Sequence, residues 1–219
     1  MWTLHWLEAK GDLGPWKGQI SSEIEATREV VADFVRPPRV DILIQRGRWV
    51  IQEIGLAGQT FDATLMALTI DPESPNFAAS LGDGALRRQV AHEIHHCLRW
   101  AGPGYGRTLG EALVSEGLAG QFVGHLFGTP PEIWERAVEP ATADLLFPDA
   151  VSLAAPRYDH MAWFYGTGGY PKWLGYTIGY RMAGAWLRSR ANIDPQTFIA
   201  VPAADVLAAG TRNVGGNRP

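Results

Sequence analysis

The segment "LRRQVAHEIHHCLRW", Leu86–Trp100, holds three of the six histidines in the chain and one glutamate. No proline interrupts it, and apolar residues recur at helical spacing along it: Val90, Ile94 and Leu98. This pattern predicts a helix with one apolar side. The histidines then either form a metal site on this helix or are polar residues beside a core.

His92 and His96 lie four residues apart, which places them on one helix face, one turn apart. Two imidazoles in this arrangement can bind one tetrahedral zinc ion. Glu93 follows His92 directly and is rotated by about 100° around the helix axis. Its carboxylate is therefore predicted to lie beside the metal and to act as general base. The alternative is a helix with surface histidines, or with one histidine satisfied in the core.

A catalytic zinc needs a third protein ligand and an open fourth position. The metzincin pattern is excluded, because Arg99 and Gly102 stand where it requires glycine and histidine. The next predicted helix, about 109–127, offers Glu111 and Glu116. Glu116 is favoured, since it is a lone carboxylate on a small, apolar face, where burial without a partner would be costly. Glu111 lies in the first turn, where the helix dipole is sufficient reason for it.

The rest of the chain predicts an α+β fold. Three β-branched segments in residues 40–71, "VDILIQ", "RWVIQEI" and "ATLMALTID", are typical of strands and predict a small antiparallel sheet. A helix capped by Ser21 or Ser22 precedes the sheet, and a mainly helical block follows it, with a long helix beginning at Pro171. We expect one domain, residues 1–210, and a flexible tail, residues 211–219.

Composition excludes several other classes of protein. The net charge of −4 and the lack of a Lys/Arg run give no reason to expect a nucleic-acid partner. The single cysteine, Cys97, excludes a disulfide framework and a Cys-based zinc finger. No targeting segment and no span of ~20 apolar residues is present, which predicts a cytoplasmic protein without a membrane partner. The sequence does not indicate an oligomeric state.

Tyr176 and Tyr180 lie one turn apart on the helix predicted from Pro171. Zinc peptidases need a hydrogen-bond donor for the oxyanion that forms during hydrolysis, and a tyrosine hydroxyl is suitable. One of the two is a candidate for this role, with Tyr176 slightly favoured. The alternative is that both are core tyrosines with satisfied hydroxyls.

The remaining candidates favour structural roles. We expect His95 to be structural rather than a support for the ligands, and Cys97 to be a small buried hydrophobe. His125 and His160 are isolated histidines, and His160 is the one expected to line a cleft if either does.

Three segments resemble a known family: "VAHEIHHCLR", "TLGEALVSEGLAGQF" and "WFYGTGGYPKWLGYTIGYRMAGAWL". The chain is similar, from about Ile20 to Asp205, to the predicted zinc-dependent proteases catalogued as a domain of unknown function. The resemblance implies a zincin fold of the gluzincin type, activity as a zinc metallopeptidase, and a Zn²⁺ cofactor. The residues that it implies are the ligands His92, His96 and Glu116 and the base Glu93.

The expected reaction is hydrolysis of a peptide bond in a peptide or protein substrate by a zinc-activated water, with Glu93 as general base. An edge of the sheet at "DATLMALTID" is expected to pair with an extended substrate, unless this is an ordinary strand. Two alternatives remain. One is a non-catalytic zinc-binding regulatory or peptide-binding module that uses the same groove. The other is a helical interaction domain with a fortuitous motif, which predicts no stoichiometric metal.

Overall fold

A computed structural model describes the backbone of residues 1–215 and the side chains of residues 1–210. The protein is α+β, as predicted, and forms two compact units, Met1–Ala101 and the part from Gly102 onward. Among the described residues, no helix combines the length and apolar character needed to cross a bilayer.

The first unit contains a four-stranded sheet, three α-helices and a short 3-10 helix, Glu8–Lys10. In chain order the elements are β1 (Trp2–Leu7), α1 (Gly14–Phe34), β2 (Val40–Arg46), β3 (Leu56–Asp62), β4 (Leu65–Ile70), α2 (Phe77–Ser80) and α3 (Ala85–Trp100). The strand order is β1-β2-β4-β3. Helix α3 packs against β3, β4 and α1.

The prediction of an antiparallel sheet is wrong, because the sheet is mixed. β1 pairs parallel with β2, and β2 pairs parallel with β4. Helix α1 crosses over between β1 and β2, and a crossover of this kind is what parallel neighbours require. Only β3 and β4, which are joined by a tight turn, are antiparallel.

The segment "RWVIQEI" is not a strand. Its one ladder contact is an isolated bridge from Ile51 to Leu56, and Trp49 is 61% exposed. The chain turns here and enters β3, "LAGQTFD", whose glycine and glutamine give it little strand propensity. This segment forms a strand because it pairs with β4, and not because of its own strand propensity.

Helix α1 begins at Gly14, eight residues earlier than a cap at Ser21 requires, with Pro15 in its first turn. Proline is favoured there because its ring already has the helical φ angle and its missing N–H would be unpaired anyway. Both predicted capping serines therefore lie inside the helix. The helix ends at Phe34, ahead of Pro37 and Pro38.

The second unit is helical. It contains α4 (Leu109–Phe127), α5 (Pro140–Leu145), α6 (Ala150–Leu153), α7 (His160–Tyr165), α8 (Leu174–Arg188), α9 (Pro195–Ile199) and α10 (Ala203–Gly215). Helix α8 begins at Leu174 rather than Pro171, because Trp173 has a left-handed backbone conformation with φ of 66°. Helices α4 and α8 cross closely at Gly117 and Gly179.

Helix α10 extends into the segment predicted as a tail and ends at Gly215. Residues 216–219 of that tail lie outside the described residues. The single domain of residues 1–210 stays a prediction.

Candidate metal centre

His92 and His96 lie on one face of α3, and both are buried, with 7% and 5% of their surface exposed. Their Nε2 atoms are 3.1 Å apart. Two nitrogens bound to one tetrahedral zinc at 2.0–2.1 Å would be about 3.3 Å apart. The two imidazoles are therefore spaced to hold a single ion with little movement.

Glu93 is also buried, and its carboxylate lies against strand β3. The side-chain amide of Gln89 donates from Nε2 to Oε1 of Glu93 at 3.0 Å. The hydroxyl of Thr60, on β3, lies 2.9 Å from Oε2 of Glu93 and can donate to it. Neither Gln89 nor Thr60 was a candidate from the sequence, because neither belongs to a recognisable motif.

A capping box fixes the start of α4. The Thr108 side chain accepts from the Glu111 backbone N–H, and Glu111 accepts from the backbone N–H of Thr108. Hydrogen bonds from the backbone N–H groups of Arg107 and Thr108 lower the pKa of Glu111. Glu111 is thus committed to the helix end, which leaves Glu116 as the carboxylate of α4 for a ligand role.

Glu116 lies two turns into α4 and is 8% exposed. The hydroxyl of Tyr105 donates to its Oε1 at 2.7 Å. Burial raises the pKa of Tyr105 well above its ordinary value, and the charge of Glu116 adds to the effect. The phenol therefore stays protonated and keeps its donor. Ser115 in turn donates to the carbonyl oxygen of Tyr105 at 2.7 Å, which ties the loop to the helix.

Tyr105 was missed at the sequence level because "GPGYG" has the composition of a helix breaker. A lone aromatic residue between turn glycines was the only available signal. Its importance depends on a contact with Glu116, eleven residues away.

The predicted ligands form one group. Each of His92, His96 and Glu116 offers a ligand atom, and these atoms all lie within 4.8 Å of one another. All three side chains are buried. Two imidazole nitrogens and one carboxylate oxygen are the donor set of a common class of catalytic zinc site.

The charge of Glu116 affects the pKa values of Tyr158 and His160. Burial raises the pKa of Tyr158 to about 12, with a further contribution from Glu116. Burial lowers the pKa of His160, while the charges of Glu116 and Asp159 oppose that effect. The Tyr158 hydroxyl is 3.3 Å from Nδ1 of His160, so the two share a hydrogen bond whose direction depends on the tautomer. His160 is thus a polar group near Glu116 as well as a stacking partner of Phe164.

Tyr176 and Tyr180 have different surroundings. The ring of Tyr176 packs edge-on against Phe164, with centroids 5.0 Å apart, and Tyr176 contributes to the raised pKa of Tyr105. Burial raises the pKa of Tyr180, and the charge of Glu135 adds to the effect. Of the two predicted tyrosines, Tyr176 is therefore the one associated with Tyr105, the partner of Glu116. A catalytic role for either stays a prediction.

Of the other candidates, His95 and Cys97 are buried and His125 is exposed. His95 is fully buried, with its ring centroid 6.0 Å from that of His96. Cys97 is fully buried as expected, and burial raises its pKa to about 12. The ring of His125 contacts Phe198 at 5.4 Å.

One family model matches most of the chain, residues 20–208, and its description is "Predicted Zn-dependent protease (DUF2268)". Nothing among the curated proteins or the solved structures matches. The matched range includes the whole H-E-x-x-H helix, the helix of Glu116 and the helix of the two tyrosines. The chain belongs to this family of predicted Zn-dependent proteases.

Proposed function

We propose that this protein is a zinc-dependent peptidase whose zinc is held by His92, His96 and Glu116 and whose general base is Glu93. The observation that carries the proposal is the buried ligand group, with ligand atoms within 4.8 Å of one another. The family description supports the same activity. A gluzincin-type zincin fold is part of the proposal, and it is compatible with a mixed sheet and two consecutive helices that carry the motif residues.

The donor set fits the ion. Zinc accepts neutral imidazole nitrogen and carboxylate oxygen, and three protein ligands leave a fourth position for water or substrate. The spacing of 3.1 Å between the two Nε2 atoms is close to the value for a shared tetrahedral ion. Tyr105 donates to Oε1 of Glu116, and a carboxylate with several lone pairs can accept this hydrogen bond and also bind a metal.

When bound, zinc supplies Lewis acidity that activates water and polarises a substrate carbonyl group. Glu93 takes a proton from the attacking water at a carboxylate oxygen and later delivers it to the departing amine nitrogen. Tyr176 or Tyr180 donates a hydrogen bond to the developing oxyanion. Of the two, Tyr176 is favoured by its association with Tyr105 and Phe164.

The substrate is proposed to be an extended segment of a peptide or protein. The sequence placed the pairing strand at "DATLMALTID", but this segment forms β4, which lies inside the sheet between β2 and β3. Of the two edge strands, β1 and β3, it is β3 that Glu93 lies against. A peptide that adds to this edge would be read through its backbone, next to the general base. The cytoplasmic location also remains a proposal.

Replacing Glu93 by Gln tests the function. The amide keeps the shape of the side chain but cannot accept the proton, so we expect cleavage of a broad peptide library to be abolished while zinc stays bound. Glu29→Gln, an exposed change on α1, is the matched control and should cleave like the parent protein.

Two outcomes would contradict this proposal in different ways. Cleavage that persists in Glu93→Gln would remove Glu93 as base. Zinc binding without cleavage by the parent protein would favour the non-catalytic binding module.

A further inference from the structure

We propose that Thr60 and Gln89 are positioning residues that hold the Glu93 carboxylate from two sides, and that Gly58 provides the space in which it is held. This inference rests on the proposed function, since it concerns the base of that reaction. All four residues belong to the first unit, and the contacts join helix α3 to the edge strand β3.

The two oxygens of Glu93 each have a donor of their own. Gln89 lies one turn before Glu93 on α3 and donates to Oε1 at 3.0 Å. Thr60 approaches Oε2 at 2.9 Å from the strand, and it also lies 2.9 Å from the backbone oxygen of Glu93. Its single hydroxyl hydrogen serves one of these acceptors at a time. Each carboxylate oxygen has two lone pairs, so both retain a place for the incoming proton.

Strand β3 has a glycine, Gly58, where the Glu93 carboxylate approaches it. A Cβ atom on Gly58 would lie 2.6 Å from Oε1 and 2.7 Å from Cδ of Glu93, too close for any real side chain. Gly58 does not have a positive φ angle, so its backbone imposes no need for glycine. The close approach of Glu93 is therefore the reason for glycine at this position.

A register shift lies directly beside Thr60. Thr60 pairs with Met66 and Asp62 pairs with Leu65, which makes Phe61 an extra residue in the edge strand. Bulges of this kind bend a strand, re-aim its side chains and are frequent next to active sites. Here the bulge follows the residue whose hydroxyl reaches Glu93.

Gln89 gives a second, independent indication. It is 6% exposed, and its Oε1 has no hydrogen-bond partner among the described residues. An unsatisfied buried acceptor lowers stability. Turning the amide over would place its oxygen against the Glu93 carboxylate, which would be worse. The amide orientation that lets Gln89 donate to Glu93 leaves Oε1 of Gln89 without a hydrogen bond. A contact that is kept despite this loss of stability is typical of a functional role.

Orientation of the base matters because the proton transfer needs hydrogen-bond geometry with the attacking water. A flexible glutamate would sample several rotamers, and an error of about 1 Å in a reacting group can lower a rate by about 100-fold. Two donors and a surface without a Cβ restrict Glu93 to one arrangement. Binding of substrate does not depend on this restriction, so the effect belongs to kcat rather than KM.

Three single variants test the proposal in the zinc-loaded protein: Thr60→Val, Gln89→Leu and Gly58→Ala. With a peptide found by library screening, we expect each to lower kcat by about 10- to 100-fold with KM and zinc content unchanged. Thr60→Ser restores the hydroxyl and should recover most of the lost rate. Unchanged kcat in all three variants would overturn the proposal while leaving the peptidase function intact.

Each variant has a matched control elsewhere in the first unit. Thr69→Val removes a hydroxyl that contacts Gln45, Gln19→Leu removes an amide that donates to the Leu81 carbonyl, and Gly18→Ala fills open space on α1. These controls should cleave like the parent protein. Equal losses in variants and controls would indicate general destabilisation and would count against positioning.

A second measurement needs no substrate. The thermal midpoint of Gln89→Leu is compared in the parent protein and in Glu93→Ala. If Gln89 contacts the carboxylate, the substitution should lower the midpoint more in the parent, where it removes that contact, than in Glu93→Ala, where the contact is already lost. Additive shifts would overturn the contact. This result stands even if the protein cleaves no peptide, so a failure of the proposed function remains distinguishable.

Discussion

Tyr105 donates a hydrogen bond that helps to orient Glu116. Its hydroxyl donates to Oε1 at 2.7 Å, and burial keeps the phenol protonated. Hydrogen bonds from such outer partners fix the direction of a ligand and strengthen metal binding. In the proposed site, this hydrogen bond favours the orientation in which Glu116 is a ligand.

Tyr105→Phe should therefore weaken zinc binding by about 10- to 100-fold, because only the hydroxyl is lost. The dissociation constant can be measured by competition with a chromophoric chelator. Tyr170→Phe, a change at a partly exposed ring that stacks on Trp163, is the control and should bind zinc like the parent. Equal affinities for the two variants would mean that Tyr105 does not orient a ligand.

The residues of the proposed site that the sequence predicts are those that belong to local patterns. His92, Glu93 and His96 follow from the helical period, and Glu116 follows from its isolation on a small, apolar face. Thr60 was not predictable, since it is 33 residues from Glu93 and its role arises only when β3 packs against α3. A side chain that supports a site from a distant position in the sequence leaves no periodic signal.

At the level of elements, helices α3 and α4 were predicted to within one residue. Both have a strong start or stop signal, and α4 has the full capping box of Thr108 and Glu111. The sheet was predicted less well. β1 was missed altogether, and "RWVIQEI" was mistaken for a strand, because strand propensity depends on the partner that a segment finds.

The close crossing of α4 and α8 depends on two glycines. A Cβ on Gly117 would overlap the carbonyl group of Gly179, which is backbone and cannot move aside. Gly117→Ala should therefore lower the free energy of unfolding by about 1–3 kcal/mol through overpacking. Urea unfolding measures this change.

The same substitution at Gly18 is the control for that prediction. Nothing lies within 4 Å of a Cβ at Gly18, which is inside helix α1. Because alanine favours a helix over glycine by about 1 kcal/mol, Gly18→Ala should be neutral or stabilising. A stable Gly117→Ala variant would mean that the two helices can separate without cost.

For the whole molecule, the sequence predicted the α+β class and the family, and the family model covers residues 20–208. The sequence did not predict the mixed sheet, because strand order is a property of the assembled unit rather than of any segment. The proposed chemistry requires that the complete chain bind one zinc ion through His92, His96 and Glu116.

Elemental analysis of the purified, chelator-treated and zinc-reloaded protein tests that requirement most directly. We expect about one zinc per chain in the parent protein and in His125→Ala, and loss of zinc in His96→Ala, since a catalytic site has three protein ligands. The absence of zinc from the parent protein after reloading would contradict the zinc site and the peptidase that depends on it.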